Sequence, residues 1–236
     1  MSNPFPHLLI LGHRGAPAEA LENTLRAFEL ALRRGADGVE LDVRPAADGT
    51  PVVIHDDGLE RTFGMSGLVS ELSWPALQRL TGARLPSFEQ AAAWAAASGA
   101  WLNVELKGEG VEAEVIRILR GHGLMSRAFL SSFDERIVAR VGEVAPDALR
   151  FFLTETWDDA AHDRLNRSGA AGVCLRVDAA TPLALEVLRH EGLPVVVWTV
   201  DDVTRIGHLL EAGVAAIITN HPETGVAARR AAGASG

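Results

Sequence analysis

Short apolar runs alternate with longer amphipathic stretches along the whole chain. The runs cover residues 7–11, 39–43, 101–106, 128–130, 149–153, 172–175, 195–198 and 216–218. Stretches with helical spacing follow them at 24–34, 87–97, 111–122, 135–144, 158–167, 182–190, 203–211 and 223–230. The first shows the logic. Leu25, Phe28 and Leu32 recur at helical intervals, Asn23 is placed to accept from the first free N–H groups, and Gly35 ends the last turn. The final helix can start at Pro222, since the first turn tolerates a missing N–H.

β-like runs that each precede a helix-like run predict a parallel sheet with crossover helices. At 236 residues a single-domain (β/α)8 TIM barrel fits better than an open doubly wound sheet, which stays as the alternative. One interval breaks the rhythm, after the second run. Residues 44–55 read as a hairpin-like extension turning at Asp48-Gly49, and 70–80 as a short helix. The segment 57–84 is thus a short insertion within one domain spanning 1–236.

Charge removes several classes of partner. The 22 basic and 31 acidic residues sum to −9, so no basic field exists to hold nucleic acid or an anionic membrane. No apolar run reaches the roughly 18 residues of a membrane span, so stable membrane insertion is not expected. Residues 1–12 lack the basic leader and long apolar stretch of a signal peptide. Cys174 has no partner in the chain, which rules out a disulfide scaffold. These features point to a soluble, acidic, cytoplasmic protein.

Polar residues collect where the β-like runs end, which is where barrel active sites form. The first run leads into His13-Arg14, in the place where a Gly-rich phosphate loop would sit. Glu40 and Asp42 share one strand face, as do Glu105 and Lys107. If that face is the barrel interior, three carboxylates converge, and a divalent cation is the simplest remedy for their repulsion. An all-oxygen set favours Mg²⁺, Mn²⁺ or Ca²⁺ over Zn²⁺. The competing reading is a Glu105–Lys107 or Glu40–Arg44 ion-pair network capping the barrel. His13 and His55 suit paired general-acid and general-base work. Arg14 can fork onto phosphate oxygens or simply pair with Glu19 or Glu22. Trp198 is either core or a wall against an alcohol substituent. His7, His122, His162, His190 and His208 read as surface residues, and His221 as a lead into the last helix.

Several motifs stand in order: His13-Arg14-Gly15, Glu22-Asn23-Thr24, Gly38-Val39-Glu40-Leu41-Asp42-Val43, Asp48-Gly49 and Val52-Val53-Ile54-His55-Asp56. Leu59-Glu60-Arg61-Thr62, Leu85-Pro86-Ser87-Phe88-Glu89 and Leu102-Asn103-Val104-Glu105-Leu106-Lys107 follow. Ser131-Ser132-Phe133-Asp134, Trp198-Thr199-Val200 and Ile218-Thr219 complete the set. Together they resemble the glycerophosphodiester phosphodiesterases. The resemblance implies a (β/α)8 barrel that hydrolyses glycerophosphodiesters to sn-glycerol 3-phosphate and an alcohol. It further implies one divalent cation on Glu40, Asp42 and Glu105, catalysis by His13 and His55, and phosphate binding by Arg14 and Lys107. The family often has Asp where this chain has Asn220, and Asp-Gly where it has Ala215-Ala216; neither position is read as carrying chemistry.

Two rivals remain. Sphingomyelinase D-like phospholipases share the start and the Glu-x-Asp strand, but the Glu105-x-Lys107 pair and the lone cysteine speak against them. A barrel that only binds metal and phosphate has no need of two proton-transfer groups.

Overall fold

The computed structural model describes residues 4–233; residues 1–3 of the segment 1–12, where no signal peptide is expected, lie outside them. In chain order the elements are β1 (Leu9–His13), α1 (Leu25–Arg33), β2 (Gly38–Pro45), β3 (Pro51–Val53), α2 (Glu60–Phe63), α3 (Trp74–Thr81), α4 (Phe88–Ser98) and β4 (Trp101–Leu106). There follow α5 (Glu112–Gly121), β5 (Ala128–Ser132), α6 (Glu135–Val144), β6 (Arg150–Thr154), α7 (Asp159–Ser168) and β7 (Gly172–Arg176). The chain finishes with α8 (Pro182–His190), β8 (Val195–Trp198), α9 (Val203–Glu211), β9 (Ala216–Thr219) and α10 (Pro222–Gly233). β1 pairs in parallel with both β2 and β9, so the sheet closes into an eight-stranded TIM barrel. β3 folds back antiparallel on β2 with Val43 opposite Val53, the hairpin expected from Asp48-Gly49. Among the described residues no helix is long and apolar enough to cross a membrane.

Strand alternation decides what the barrel contains. On β2, Val39, Leu41 and Val43 point outward into a core shared with the helices. The same holds for Leu102, Val104 and Leu106 on β4. Glu40, Asp42, Asn103 and Glu105 are therefore the inward residues of these two strands. Elsewhere the interior is apolar: Leu9, Leu11, Phe129, Phe151, Cys174, Val196 and Ile218 fill it with Phe5. Phe5, Phe129 and Phe151 form a plug, with ring centroids 5.0 Å apart for the last two. The barrel thus has a packed apolar end and an acidic end.

Local departures from the sequence reading have plain causes. β1 starts at Leu9, with His7 outside the sheet at 3.1 Å from Asp37, and runs two residues past the run 7–11 because His13 still pairs with Glu40 of β2. The cap of α1 is Thr24, whose Oγ1 accepts from the Ala27 N–H at 3.2 Å, while Asn23 turns inward to Asp42. The single helix expected at 70–80 is a 3₁₀ turn, Val69–Glu71, followed by α3. Pro75 lacks the N–H that a continuous helix would use, so α3 starts afresh. Beneath this insertion Val52, Ile54, Leu59, Val69, Leu77 and Leu85 form their own cluster.

The seam where the chain's two ends meet is held by Asp37. Its carboxylate accepts from the Ile10 N–H at 2.7 Å and from the Arg229 guanidinium at 2.5 Å, and Arg229 also donates to the Leu8 carbonyl at 2.7 Å. Burial alone would raise the Asp37 pKa, but the bonds from Arg229, Ile10 and His7 hold it below its ordinary 3.8. Its stabilisation is therefore present above pH 3.8 and lost as pH falls through the lower folded value. Arg229→Ala is expected to lower the unfolding free energy by about 2 kcal/mol at pH 7, with an unchanged urea m-value. The difference from wild type should shrink in acid.

Candidate active site

The turn after β1 builds one wall of the site. Arg14 sits in the left-handed region at φ 54°, and Gly15 follows at φ 93°. A Cβ on Gly15 would lie 2.6 Å from the Ala27 carbonyl carbon, so only glycine lets α1 pass this close. The turn aims the Arg14 N–H at Glu40 Oε2, 2.9 Å away. The Arg14 guanidinium donates to Glu22 at 2.9 Å and lies 3.4 Å from Asp42 Oδ2.

Next to this wall stand the three inward carboxylates. Asp42 lies opposite Glu105 in the β2–β4 register. One oxygen each from Glu40, Asp42 and Glu105 falls within 4.8 Å of the others, and all three residues are buried. Lys107 Nζ is 2.5 Å from Glu105 Oε1 and 3.2 Å from Asp42 Oδ1. Asn23 donates to Asp42 Oδ2 at 2.8 Å. Of the competing ion-pair network, the Glu105–Lys107 pair is present. Arg44 instead donates to the His55 carbonyl at 2.7 Å.

Burial, with Asp42 and Glu105 alongside, pushes Glu40 well above the ordinary carboxylate range. Burial and the Asp42 charge push Glu105 up to about 7, against the pull of Lys107. Asp42 is the exception: burial opposes its ionisation, yet Lys107 and Arg14 hold it below the ordinary value. The cluster is thus short of positive charge by its own electrostatics. Among the described residues buried Asp42 Oδ1 accepts no hydrogen bond and has only the ion-pair approach of Lys107 at 3.2 Å. An all-oxygen, partly unsatisfied set of this kind fits a hard divalent cation.

The two histidines approach from opposite sides of the chain's fold. His13 ends β1, and its Nδ1 lies 2.8 Å from Asn220 Oδ1. His55 follows the β3 strand, and its Nδ1 lies 2.5 Å from Asp56 Oδ1. Asp56 is gripped by Arg61, which also forks onto Glu22 at 2.7 and 3.0 Å. Arg61 and the bond from His55 bring the Asp56 pKa down to about 2 against a small opposing effect of burial. Burial lowers both histidine pKa values. Arg14 adds to this for His13, whereas at His55 Asp42 and Asp56 oppose it. Burial thus favours the neutral form of both rings relative to a free imidazole.

His13, His55, Glu40, Glu105, Arg14 and Lys107 line one cavity together with Trp198. Trp198 is half-buried there and meets Phe133 edge-on, with centroids 5.6 Å apart at 83°. Its Nε1 has no hydrogen-bond partner among the described residues. The histidines read as surface residues do not line this cavity; His122, for example, pairs with Glu89 at 2.6 Å. The sequence reading assigned no chemistry to Asn220; the structure puts its side chain beside His13. Barrel closure sets Gly12 of β1 beside Thr219 of β9, which brings Asn220 against His13. Arg61 and Asp56 were missed as supports of the site, although each lies in a quoted motif; Glu22 was read as a partner of Arg14, and the pair is present.

A family model described as the glycerophosphoryl diester phosphodiesterase family matches residues 13–224. The chain belongs to this family. Its members are phosphoric diester hydrolases. A glycerophosphodiester phosphodiesterase of Bacillus altitudinis is 30% identical, with 93% of this chain and 97% of that protein covered. One from Caldanaerobacter subterraneus subsp. tengcongensis is 29% identical over 92% and 95%. A phosphodiesterase of Oleispira antarctica, solved in complex with the product sn-glycerol-3-phosphate, is 26% identical, with a TM-score of 0.82 over 94% of this chain and 96% of that one.

The charge imbalance of the family's carboxylate cluster in this chain has a measurable consequence. Mg²⁺, Mn²⁺ or Ca²⁺ at about a hundred times its Kd is expected to raise Tm by roughly 5–10 °C. Differential scanning calorimetry of Glu105→Gln should show that rise abolished. An equal rise in the variant would exclude Glu105 as a ligand.

Proposed function

We propose that this chain hydrolyses glycerophosphodiesters to sn-glycerol 3-phosphate and an alcohol, by general acid/base catalysis with His13 and His55. The observation that carries the reading is their shared cavity: two histidines, Glu40, Glu105 and two cationic side chains line one opening, with Asp42 clustered with the two glutamates. The product found in the Oleispira antarctica relative supports the choice of substrate. One divalent cation, Mg²⁺ or Ca²⁺ with Mn²⁺ as third candidate, would be held by Glu40, Asp42 and Glu105 and would offset phosphoryl charge and acidify a nearby hydroxyl.

The remaining roles belong to the protein. Arg14 and Lys107 bind the phosphate, the first as a planar fork and the second as a point charge. His55 takes the proton from the attacking oxygen as that oxygen bonds to phosphorus; water as attacker gives glycerol 3-phosphate directly, and the neighbouring glycerol hydroxyl gives a cyclic phosphate that water then opens. His13, protonated on both nitrogens, gives its Nε2 proton to the departing alcohol oxygen as the phosphorus–oxygen bond to that alcohol breaks, and is left as the neutral ring. Trp198 and Phe133 form the apolar wall beside the reacting group. Residues 1–236 act as one unit on this reading, with 57–84 an insertion beside His55. The net charge of −9 and the lone Cys174 go with a cytoplasmic enzyme of small-molecule substrates, without nucleic-acid partners.

Release of glycerol 3-phosphate from glycerophosphocholine and glycerophosphoethanolamine tests the reaction, first in chelator and then with each cation restored. Turnover is expected only with a cation present. His13→Ala and His55→Ala should each lower kcat by about 10²–10⁴-fold while the cation still binds. Folded protein that turns over lysolipid and neither diester, or nothing at all with any cation, would overturn the reading.

A further inference from the structure

Asn220 stands one residue beyond β9, where closure of the barrel brings it to His13. Its side-chain amide has a determined orientation. Asn220 Nδ2 donates to Asp201 Oδ2 at 2.7 Å, and the Asn220 backbone N–H donates to Asp201 Oδ1 at 2.8 Å. Thr219 Oγ1 donates to the same Oδ1 at 2.9 Å. Turning the amide over would set its carbonyl oxygen against the Asp201 carboxylate, acceptor facing acceptor. Asp201 therefore holds the carbonyl oxygen of Asn220 toward the imidazole.

That oxygen can only accept, so His13 Nδ1 must carry the hydrogen of the 2.8 Å contact. In the neutral ring the lone pair is then on Nε2. Protonated on both nitrogens, the ring keeps its Nδ1–H on Asn220 and offers its Nε2–H to the leaving oxygen; a ring free to change tautomer would spend part of its time with Nδ1 bare and this alignment lost.

We propose that Asn220 and Asp201 are positioning residues for His13: Asp201 fixes the amide, and the amide fixes the imidazole in its Nδ1–H tautomer with Nε2 left as the proton-exchanging atom. This rests on the reading of His13 as a proton-transfer group. Neither residue touches the reacting atoms. The arrangement also differs from that of the second histidine, whose Nδ1 meets a carboxylate directly at Asp56. His13 receives its orientation from a neutral amide, with the negative charge one hydrogen bond further away.

Imidazole ¹⁵N NMR at pH 8 and steady-state kinetics on glycerophosphocholine, run in parallel on wild type, Asn220→Ala and Asn220→Asp with and without Asp201→Asn, test the proposal. Wild type should show His13 as the Nδ1–H tautomer. Asn220→Ala should lose that preference, and its kcat should fall about 10- to 100-fold with KM nearly unchanged. Asn220→Asp alone sets a carboxylate against Asp201, so it should recover the tautomer and most of kcat only together with Asp201→Asn, which puts back a donor between the two side chains. Asp201→Asn alone sets its amide N–H₂ against that of Asn220, so its loss of activity counts only where its Tm matches wild type; Asn220→Ala decides regardless. An Nε2–H tautomer in wild type, or unchanged tautomer and kcat in Asn220→Ala, would overturn the proposal. If wild type turns over no glycerophosphodiester, the functional reading fails instead, and the NMR spectra still judge Asn220.

Discussion

Like charges repel strongly away from water, and Glu40, Asp42 and Glu105 present oxygens within 4.8 Å of one another inside a closed barrel. Much of the surrounding structure answers that repulsion. The left-handed turn at Arg14 delivers an N–H to Glu40, Lys107 reaches back between Glu105 and Asp42, and Asn23 gives up a capping role to donate to Asp42. The apolar plug of Phe5, Phe129 and Phe151 closes the other end of the barrel. The acidic end is thereby a dead-end chamber with a single charged floor, where added positive charge is felt at low screening.

Much of this was legible in the chain itself. Period-two alternation on β2 and β4 separated Glu40, Asp42 and Glu105 from Val39, Leu41 and Val104, because a strand's faces are fixed by geometry that no tertiary contact overrides. The alternation of strand-like and helical spacing likewise predicted the barrel. What stayed hidden were interactions between residues distant in sequence whose types are locally ambiguous. Asn23 precedes a helix and reads as its cap, until the fold offers it Asp42 as a better partner. Asn220 reads as loop, yet closure alone makes β9 the neighbour of β1, so a closed barrel already implied its meeting with His13. Arg61 lay in a quoted motif, but its bridge to Glu22 spans 39 positions and has no periodic signature.

Arg61 also changes how the insertion is understood. Its α2 helix is only one turn long and covers little of the core, but its guanidinium ties Asp56, behind His55, to Glu22, which in turn holds Arg14. A run of alternating charges therefore links the two sides of the cavity mouth, and the insertion acts as a brace across it. The hydrophobic cluster below, built on Ile54, Leu59 and Leu77, gives that brace a fixed footing.

The seam between β1 and β9 bears on the order in which the protein becomes complete. All three carboxylates, both histidines and both cationic side chains lie before residue 108, in the first half of the chain. Asn220 and the strand that seats it come at the far end. A chain emerging from the ribosome thus carries its reactive groups long before it can align them. Until β9 arrives, β1 has one edge bare and His13 has no partner across it. Closure of the barrel, and with it the contact between His13 and Asn220, therefore waits on β9.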